Sequence, residues 1–189
     1  MDSHDPFAKA STVTRTVRIN EAYDEVLRYE AEKRGVSVNM LVDQILRKYS
    51  ISYRFFEYLS SVTMSVQTVS GLLELIELED IRAAGKLLGR ERPKALILKR
   101  GIPLSYEAVV WYMTELLGDH SGWYRANYYE RPKKDIFHLN HTLGNKWSVF
   151  ISEYMEAFLK EVLGITPELE SLRDSVTLTI DKGKITPDK

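Results

Sequence analysis

Thr14, Thr16 and Arg18 alternate with apolar residues in the run VTRTVRI, so an extended chain turns these three polar side chains to one face and Val13, Val17 and Ile19, together with Arg15, to the other. Arginine can bridge two acceptors on the edge of a guanine, and threonine can touch a base edge or a thymine methyl. From residue 8 to residue 20 the chain holds Lys9, Arg15 and Arg18 and no acid, +3 per chain and +6 for two copies. The patch is local, because 26 basic and 27 acidic residues leave a net charge of −1 over 189 residues. That balance argues against a protein that coats nucleic acid or anionic lipid through bulk charge.

His138 and His141, in FHLNHTLG, are the metal-ligand candidates. Two histidines three apart can share a metal on a helix or a turn, but in a continuous strand they point to opposite faces. The expectation is therefore a polar cross-strand neighbour for His138, a hydrogen-bonded strand end for His141, no metal site and no cofactor. Cysteine is absent, which removes disulfides, zinc ribbons, iron-sulfur clusters and thiol catalysis together. Asp119, His120 and Ser121 are adjacent in sequence, whereas triad members converge from separate elements, and no nucleophile elbow or phosphate loop is present. The chain is not expected to be an enzyme. The aromatic group Trp123, Tyr124, Tyr128, Tyr129, Phe137 and Trp147 reads as core, with a small-molecule pocket as the rival reading. Arg90, Arg92, Lys94, Lys99 and Arg100 read as a solvated loop rather than an extension of a nucleic-acid contact.

These residues need elements to position them. Residues 1 to 12 have no periodicity and read as a flexible arm, and they lack the basic start and apolar stretch of a secretory signal. The longest apolar run, Ala108 to Met113, is too short to span a bilayer, so no membrane contact and a cytoplasmic location are expected. After the strand at 13 to 19, Asn20 can cap a helix carrying Tyr23, Val26, Leu27 and Ala31, stopped by Gly35. Ser37 can cap a second helix striped by Val38, Leu41, Val42, Ile45, Leu46 and Tyr49. The join that follows, with Tyr53, Phe55, Phe56, Tyr58 and Leu59, lacks Gly and Pro.

Beyond it the pattern predicts a strand at Ser61 to Val66 and a helix bearing Val69, Leu72, Leu73, Ile76, Ala84, Leu87 and Leu88 that ends at Gly89. PKALILK, residues 93 to 99, fits strand or helix. A helix from Ser105 to Gly118 follows, then a hairpin of Trp123 to Tyr129 and Asp135 to Leu143 around Arg131 to Lys134. A fully striped helix runs from Lys146 to Leu163, a strand from Ser175 to Ile180, and a charged tail over 181 to 189. The order is that of a split βαβ, ferredoxin-like sandwich with extra helices.

A strand followed at once by two amphipathic helices has no partner strand nearby in its own chain, and the same strand of a second copy supplies one. The segment from Val13 to Tyr49 resembles the ribbon-helix-helix family of DNA-binding proteins, the group of the Arc and MetJ repressors. The resemblance rests on TVRI followed by Asn20 and Glu21, the first helix, the turn GVSVN at Gly35 to Asn39 and the second helix, about a fifth of the chain. It implies a homodimer whose two-stranded ribbon enters the major groove. Base reading then falls to Thr14, Thr16 and Arg18, and phosphate binding to Ser37, Val38 and Asn39 at the start of the second helix, where free N–H groups attract an anion. Arg15 departs from the family's apolar pattern and is assigned to a phosphate.

The expected protein is an α+β chain with a ribbon-helix-helix over 13 to 50 and a C-terminal α+β domain over 51 to 180 for assembly or effector sensing. Its expected partners are a double-stranded DNA operator, a second copy of itself and an unidentified small-molecule effector. Two rival readings stand beside this transcriptional regulator, which is expected to act as a repressor. One is an enzyme or small-molecule binder that the N-terminal segment only dimerises. The other is an autoregulating antitoxin, although antitoxins of this resemblance usually end in a short disordered tail and not in striped helices.

Overall fold

The computed structural model describes residues 12–58 and 62–185, which fall into two compact units. Leu59 of the aromatic join, Ser61 of the expected strand, Lys9 and the first eleven residues of the arm, and the tail from residue 186 lie outside the described residues.

In the N-terminal unit, helix α1 (Glu21–Arg34) begins at Asn20, whose side chain accepts from the Ala22 N–H at 2.9 Å. It ends at Gly35, which takes the left-handed conformation (φ 65°) and returns its N–H to the carbonyls of Ala31 and Glu32. Helix α2 (Val38–Lys48) is capped by Ser37, whose hydroxyl accepts from the Met40 N–H at 3.2 Å. The chain stays helical through a π-helical stretch (Tyr49–Tyr53) and α3 (Arg54–Tyr58), so the join is an extension of α2. Residues 12–20 have no regular secondary structure within one chain and all are exposed. Of α1 and α2, only Ala31 and Leu41 are buried.

In the second unit, residues 62–65 carry no regular structure and Ser65 caps helix α4 (Val66–Glu74), accepting from the Thr68 N–H at 3.1 Å. The strand expected at 61 to 66 is therefore replaced, over its described residues, by a cap and the start of a helix. Helix α5 (Leu78–Leu98) runs through Gly89, expected as a stop, and through Pro93, so PKALILK is helical. Its buried residues Ile81, Gly85, Gly89, Pro93 and Ile97 recur every four positions. That ridge lies against helix α7 (Asn145–Leu163), and a Cβ added at Gly89 would sit 2.8 Å from the Cα of Tyr154. At Gly85 it would meet the Phe150 carbonyl oxygen at 2.8 Å. Between them, α6 (Tyr106–Trp111) continues into a π-helical segment (Tyr112–His120).

Strands β1 (Arg125–Tyr129), β2 (Lys134–Asn140), β3 (Glu168–Leu172) and β4 (Ser175–Asp181) form one antiparallel sheet of order β1-β2-β4-β3. Phe137, Leu139, Val176, Leu178 and Ile180 point to the buried face, under α7. Ile136, His138, Thr177 and Thr179 lie on the other, half-exposed face. The class is α+β, but the sheet is two hairpins joined by α7 in place of the split βαβ order, since among the described residues no strand leads it and β3 was unexpected. The tail expected from residue 181 begins as the last residue of β4 and a 3-10 turn (Lys182–Lys184).

Because the α5 ridge admits no side chain at its centre, Gly89→Ala is expected to cost about 1–3 kcal/mol in urea denaturation. Gly71→Ala in α4, where an added Cβ meets nothing within 4 Å, is expected to be neutral or to stabilise by up to about 1 kcal/mol. Equal midpoints for the two variants would mean that α5 and α7 do not cross at Gly89.

Candidate functional site

Thr14, Thr16, Arg18 and Arg15 lie together on the exposed stretch 12–20, directly before the cap of α1. Within one chain both of that stretch's faces meet solvent, and Val17, assigned to the inward face, is 73% exposed. Ser37, Val38 and Asn39 open α2, with Ser37 as the N-cap and no acidic residue in the first turn. The N–H groups of Val38 and Asn39 have no acceptor inside the helix, so that end carries partial positive charge.

The histidines are not brought together. His138 lies opposite Thr177 on β4, and its Nδ1 is 3.0 Å from the threonine Oγ1, with Tyr129 edge-on at 5.6 Å. His141 follows the end of β2, where its own N–H donates to the Asp174 carbonyl at 2.9 Å. Its Nδ1 accepts from the Leu143 N–H at 3.2 Å, which places the ring proton on Nε2, 2.8 Å from Ser148 Oγ. Ser148 in turn donates to the Arg173 carbonyl at 3.1 Å and is fully buried. In this arrangement the histidine donates to the serine, so it is not placed as a base for that hydroxyl. Burial lowers the imidazole pKa, against the opposing field of Asp174. Among the described residues no group of three or more His, Asp and Glu is placed to share a metal ion.

Most of the aromatic group is core. Trp123 stands edge-on to Trp147 at 5.4 Å and to Tyr154 at 5.2 Å, and Trp147 stacks on Phe150 at 4.9 Å. Tyr124 is buried with its hydroxyl donating to the Met113 carbonyl at 2.9 Å, and Phe137 is fully buried beneath Tyr128. Tyr129 is exposed on the open sheet face. The basic cluster is no loop: Arg90 and Lys94 lie on α5 within 3.9 and 3.7 Å of Glu161, and Arg100 is buried with its guanidinium donating to the Leu96 carbonyl.

A second polar centre gave no motif in the sequence. Asp135, at the start of β2, is completely buried and accepts four hydrogen bonds. Tyr106 and Tyr128 donate to Oδ2 at 2.6 and 2.9 Å, while Lys182 and the Arg131 N–H reach Oδ1 at 3.0 and 3.1 Å. Burial pushes this carboxyl up, but the bonds from Tyr106, the Arg131 N–H, Lys182 and Tyr128 outweigh it and hold the pKa below the ordinary aspartate value. Burial and the same carboxylate raise the pKa of both tyrosines, so their protons stay on. Tyr106, Tyr128 and Lys182, but not Asp135 itself, line an open cleft of about 580 Å³ beside α6, its π-helical continuation and the start of the C-terminal turn. Of these the sequence singled out Tyr128 alone, within the aromatic group that could line a pocket; Tyr106, Asp135 and Lys182 come from separate elements and carry no spacing signal.

Comparison with known proteins gives no relative: no protein-family model, no curated protein and no solved structure matches this chain.

The histidine lock has a definite pH dependence. A folded-state pKa below the unfolded value of about 6.5 contributes stability that is complete above that value and lost as pH falls toward the folded pKa. His141→Ala is therefore expected to cost about 1–3 kcal/mol at pH 7.5 by leaving buried partners unmet. The gap from wild type should narrow as the pH is taken from 7.5 to 5.5, followed by urea denaturation. A gap that widens on acidification would mean that the folded protein favours the charged imidazole, against the downward shift assigned to burial.

Proposed function

We propose that the chain is a homodimeric, sequence-specific DNA-binding regulator whose residues 13 to 50 act as a ribbon-helix-helix. The observation that carries this reading is the apolar surface of the N-terminal unit. Val13, Val17, Tyr23, Val26, Tyr29, Ile45, Leu46 and Tyr49 are all exposed in a single chain, along a segment whose helices start and stop at Asn20, Gly35 and Ser37. A second copy would pair the two 13 to 19 stretches as a ribbon and bury Val17 and Ile19 on four helices. Thr14, Thr16 and Arg18 of both copies would then face the major groove, while Arg15, Ser37, Val38 and Asn39 would hold phosphates. Twofold symmetry calls for inverted or closely spaced half-sites in the operator. The unit from Val62 onward, with a sheet-and-helix core of its own, serves assembly or effector sensing.

Two substitutions separate base reading from assembly. Arg18→Ala is expected to keep the fold and cost about 1–3 kcal/mol per half-site, relaxing preference at one base pair, in gel-shift titration against an operator selected from random DNA. Failure of the selection to enrich any motif would sink the DNA reading itself. Val17→Glu is expected to remove dimerisation and DNA binding together, because it places a charge against the buried helices. A folded Val17→Glu monomer that still bound the operator would show that the stretch does not pair between chains.

A further inference from the structure

Helix α5 has two long faces, and the core of its unit uses one of them. The ridge of Ile81, Gly85, Gly89, Pro93 and Ile97 is buried against α7. At about 100° per residue the opposite side carries Ala84, Leu87, Glu91, Lys94 and Leu98, which follow one another at alternating intervals of three and four residues. That is the a and d spacing of a coiled-coil seam, and it puts Gly89 at the position farthest from the seam. Leu87 and Leu98 are 54% and 50% exposed, so two large apolar side chains in phase with each other meet solvent in a single chain. Singly scattered leucines need no explanation, but these two bracket a glutamate and a lysine on the same line.

The order along that line is self-complementary in one orientation. When two copies of α5 lie antiparallel about a twofold axis near residues 92 and 93, Leu87 of each meets Leu98 of the other, and Glu91 of each meets Lys94 of the other. A parallel pair in register would instead set Glu91 against Glu91 and Lys94 against Lys94. Both charged residues are exposed. The Lys94 ammonium also reaches Glu161 of its own chain at 3.7 Å, with the lysine side chain still 46% exposed.

We propose that the outer face of α5 binds the same face of a second copy of this chain, as an antiparallel helix pair in which two leucine layers enclose two Glu–Lys layers. The leucines supply the apolar contact and the charged pairs choose the orientation. Polar residues in such a seam fix register at a cost in affinity, so the contact is weak and forms at high chain concentration. It lies in the unit from Val62 onward and is read without DNA, so its failure leaves the reading of residues 13 to 50 as it stands.

The chain has no cysteine, so a Leu87→Cys, Leu98→Cys double variant of the full chain reports the pairing directly. The two positions are about 16 Å apart along one helix, whereas a disulfide needs Cα atoms within about 7 Å, so no link forms inside a chain. Mild oxidation at roughly 0.1 mM chain is expected to give covalent dimers whose tryptic peptides join position 87 of one chain to position 98 of the other. Either single variant would link only in a parallel pair and is expected to form dimers about tenfold more slowly. Adding Glu91→Lys to the double variant sets like charges against Lys94 and is expected to slow the link about tenfold, and adding Lys94→Glu as well is expected to restore it. The proposal is overturned if no linked dimer forms, if 87 joins 87 and 98 joins 98 as often as 87 joins 98, or if charge reversal leaves the rate unchanged. Should a charge variant not fold, the map of links in the double variant decides alone.

Discussion

The close crossing of α5 and α7 sets the position of the polar groups in the unit from Val62 onward. Helices usually pack with axes about 8–10 Å apart, the distance depending on the side chains between them. At Gly85 and Gly89 there is none, and the α5 backbone lies directly on Phe150 and Tyr154 of α7. Tyr154 is thereby fixed, with its hydroxyl 2.7 Å from that of Tyr112 in the π-helical segment. Both phenols are buried, and burial pushes Tyr112 up to about 12, so the pair remains a neutral hydrogen bond. Phe158 packs on the same Tyr112 ring at 4.9 Å. The segment so anchored continues α6, which supplies Tyr106 and Trp111 to the cleft. A chain of rigid contacts thus runs from two glycines to the tyrosine that meets Asp135.

Asp135 is the costliest group in that chain. An isolated buried carboxylate loses several kcal/mol of hydration, and the charge persists only where donors replace the water. Here four donors reach its two oxygens, and they come from α6, from β1, from the β1–β2 turn and from the turn after β4. The carboxylate therefore ties these four segments together. It also fastens the turn after β4: the Lys182 N–H donates to the Lys133 carbonyl at 2.9 Å while its ammonium reaches Asp135.

Helix termini were legible because their chemistry is local: Asn20, Gly35 and Ser37 act where their side chains and φ preferences place them. The α7 stripe and the hairpin of β1 and β2 were legible because Phe150, Ile151, Tyr154, Phe158, Phe137 and Leu139 follow the helical and strand periods. The α5 ridge was not, since its buried line is carried by Gly85, Gly89 and Pro93, residues that read as breaks when apolarity is the signal. Leu87, which the pattern favoured, is exposed instead. Strand β3, ELESL, turns only Leu169 toward the core and is too polar to announce itself. At 61 to 66 the alternation SVTMSV suggested a strand, but Ser65 serves better as a cap for the helix that follows. The Asp135 cleft was invisible for a deeper reason, because residues from 106 to 182 meet there only after the sheet and α6 are in place.

The two units differ in how they solve the problem of size. The unit from Val62 has buried residues on α5, on α7, on the π-helical segment and on β2 and β4, enough to form a core within one chain. The segment from 13 to 50 does not, with Ala31 and Leu41 as the buried positions of its two helices. A unit of about 60 residues is of marginal size, although many such units fold alone. Cysteine is absent from the chain, and no set of metal ligands occurs among the described residues. In the proposed dimer, association would be directed by where the uncovered apolar side chains lie. They sit on the 13 to 19 stretch and on both helices at once, so the proposed second copy would have to cover all three. A second copy related by a twofold axis would do so while leaving Thr14, Thr16 and Arg18 together on the outside, which connects the proposed dimer with the proposed reading of DNA.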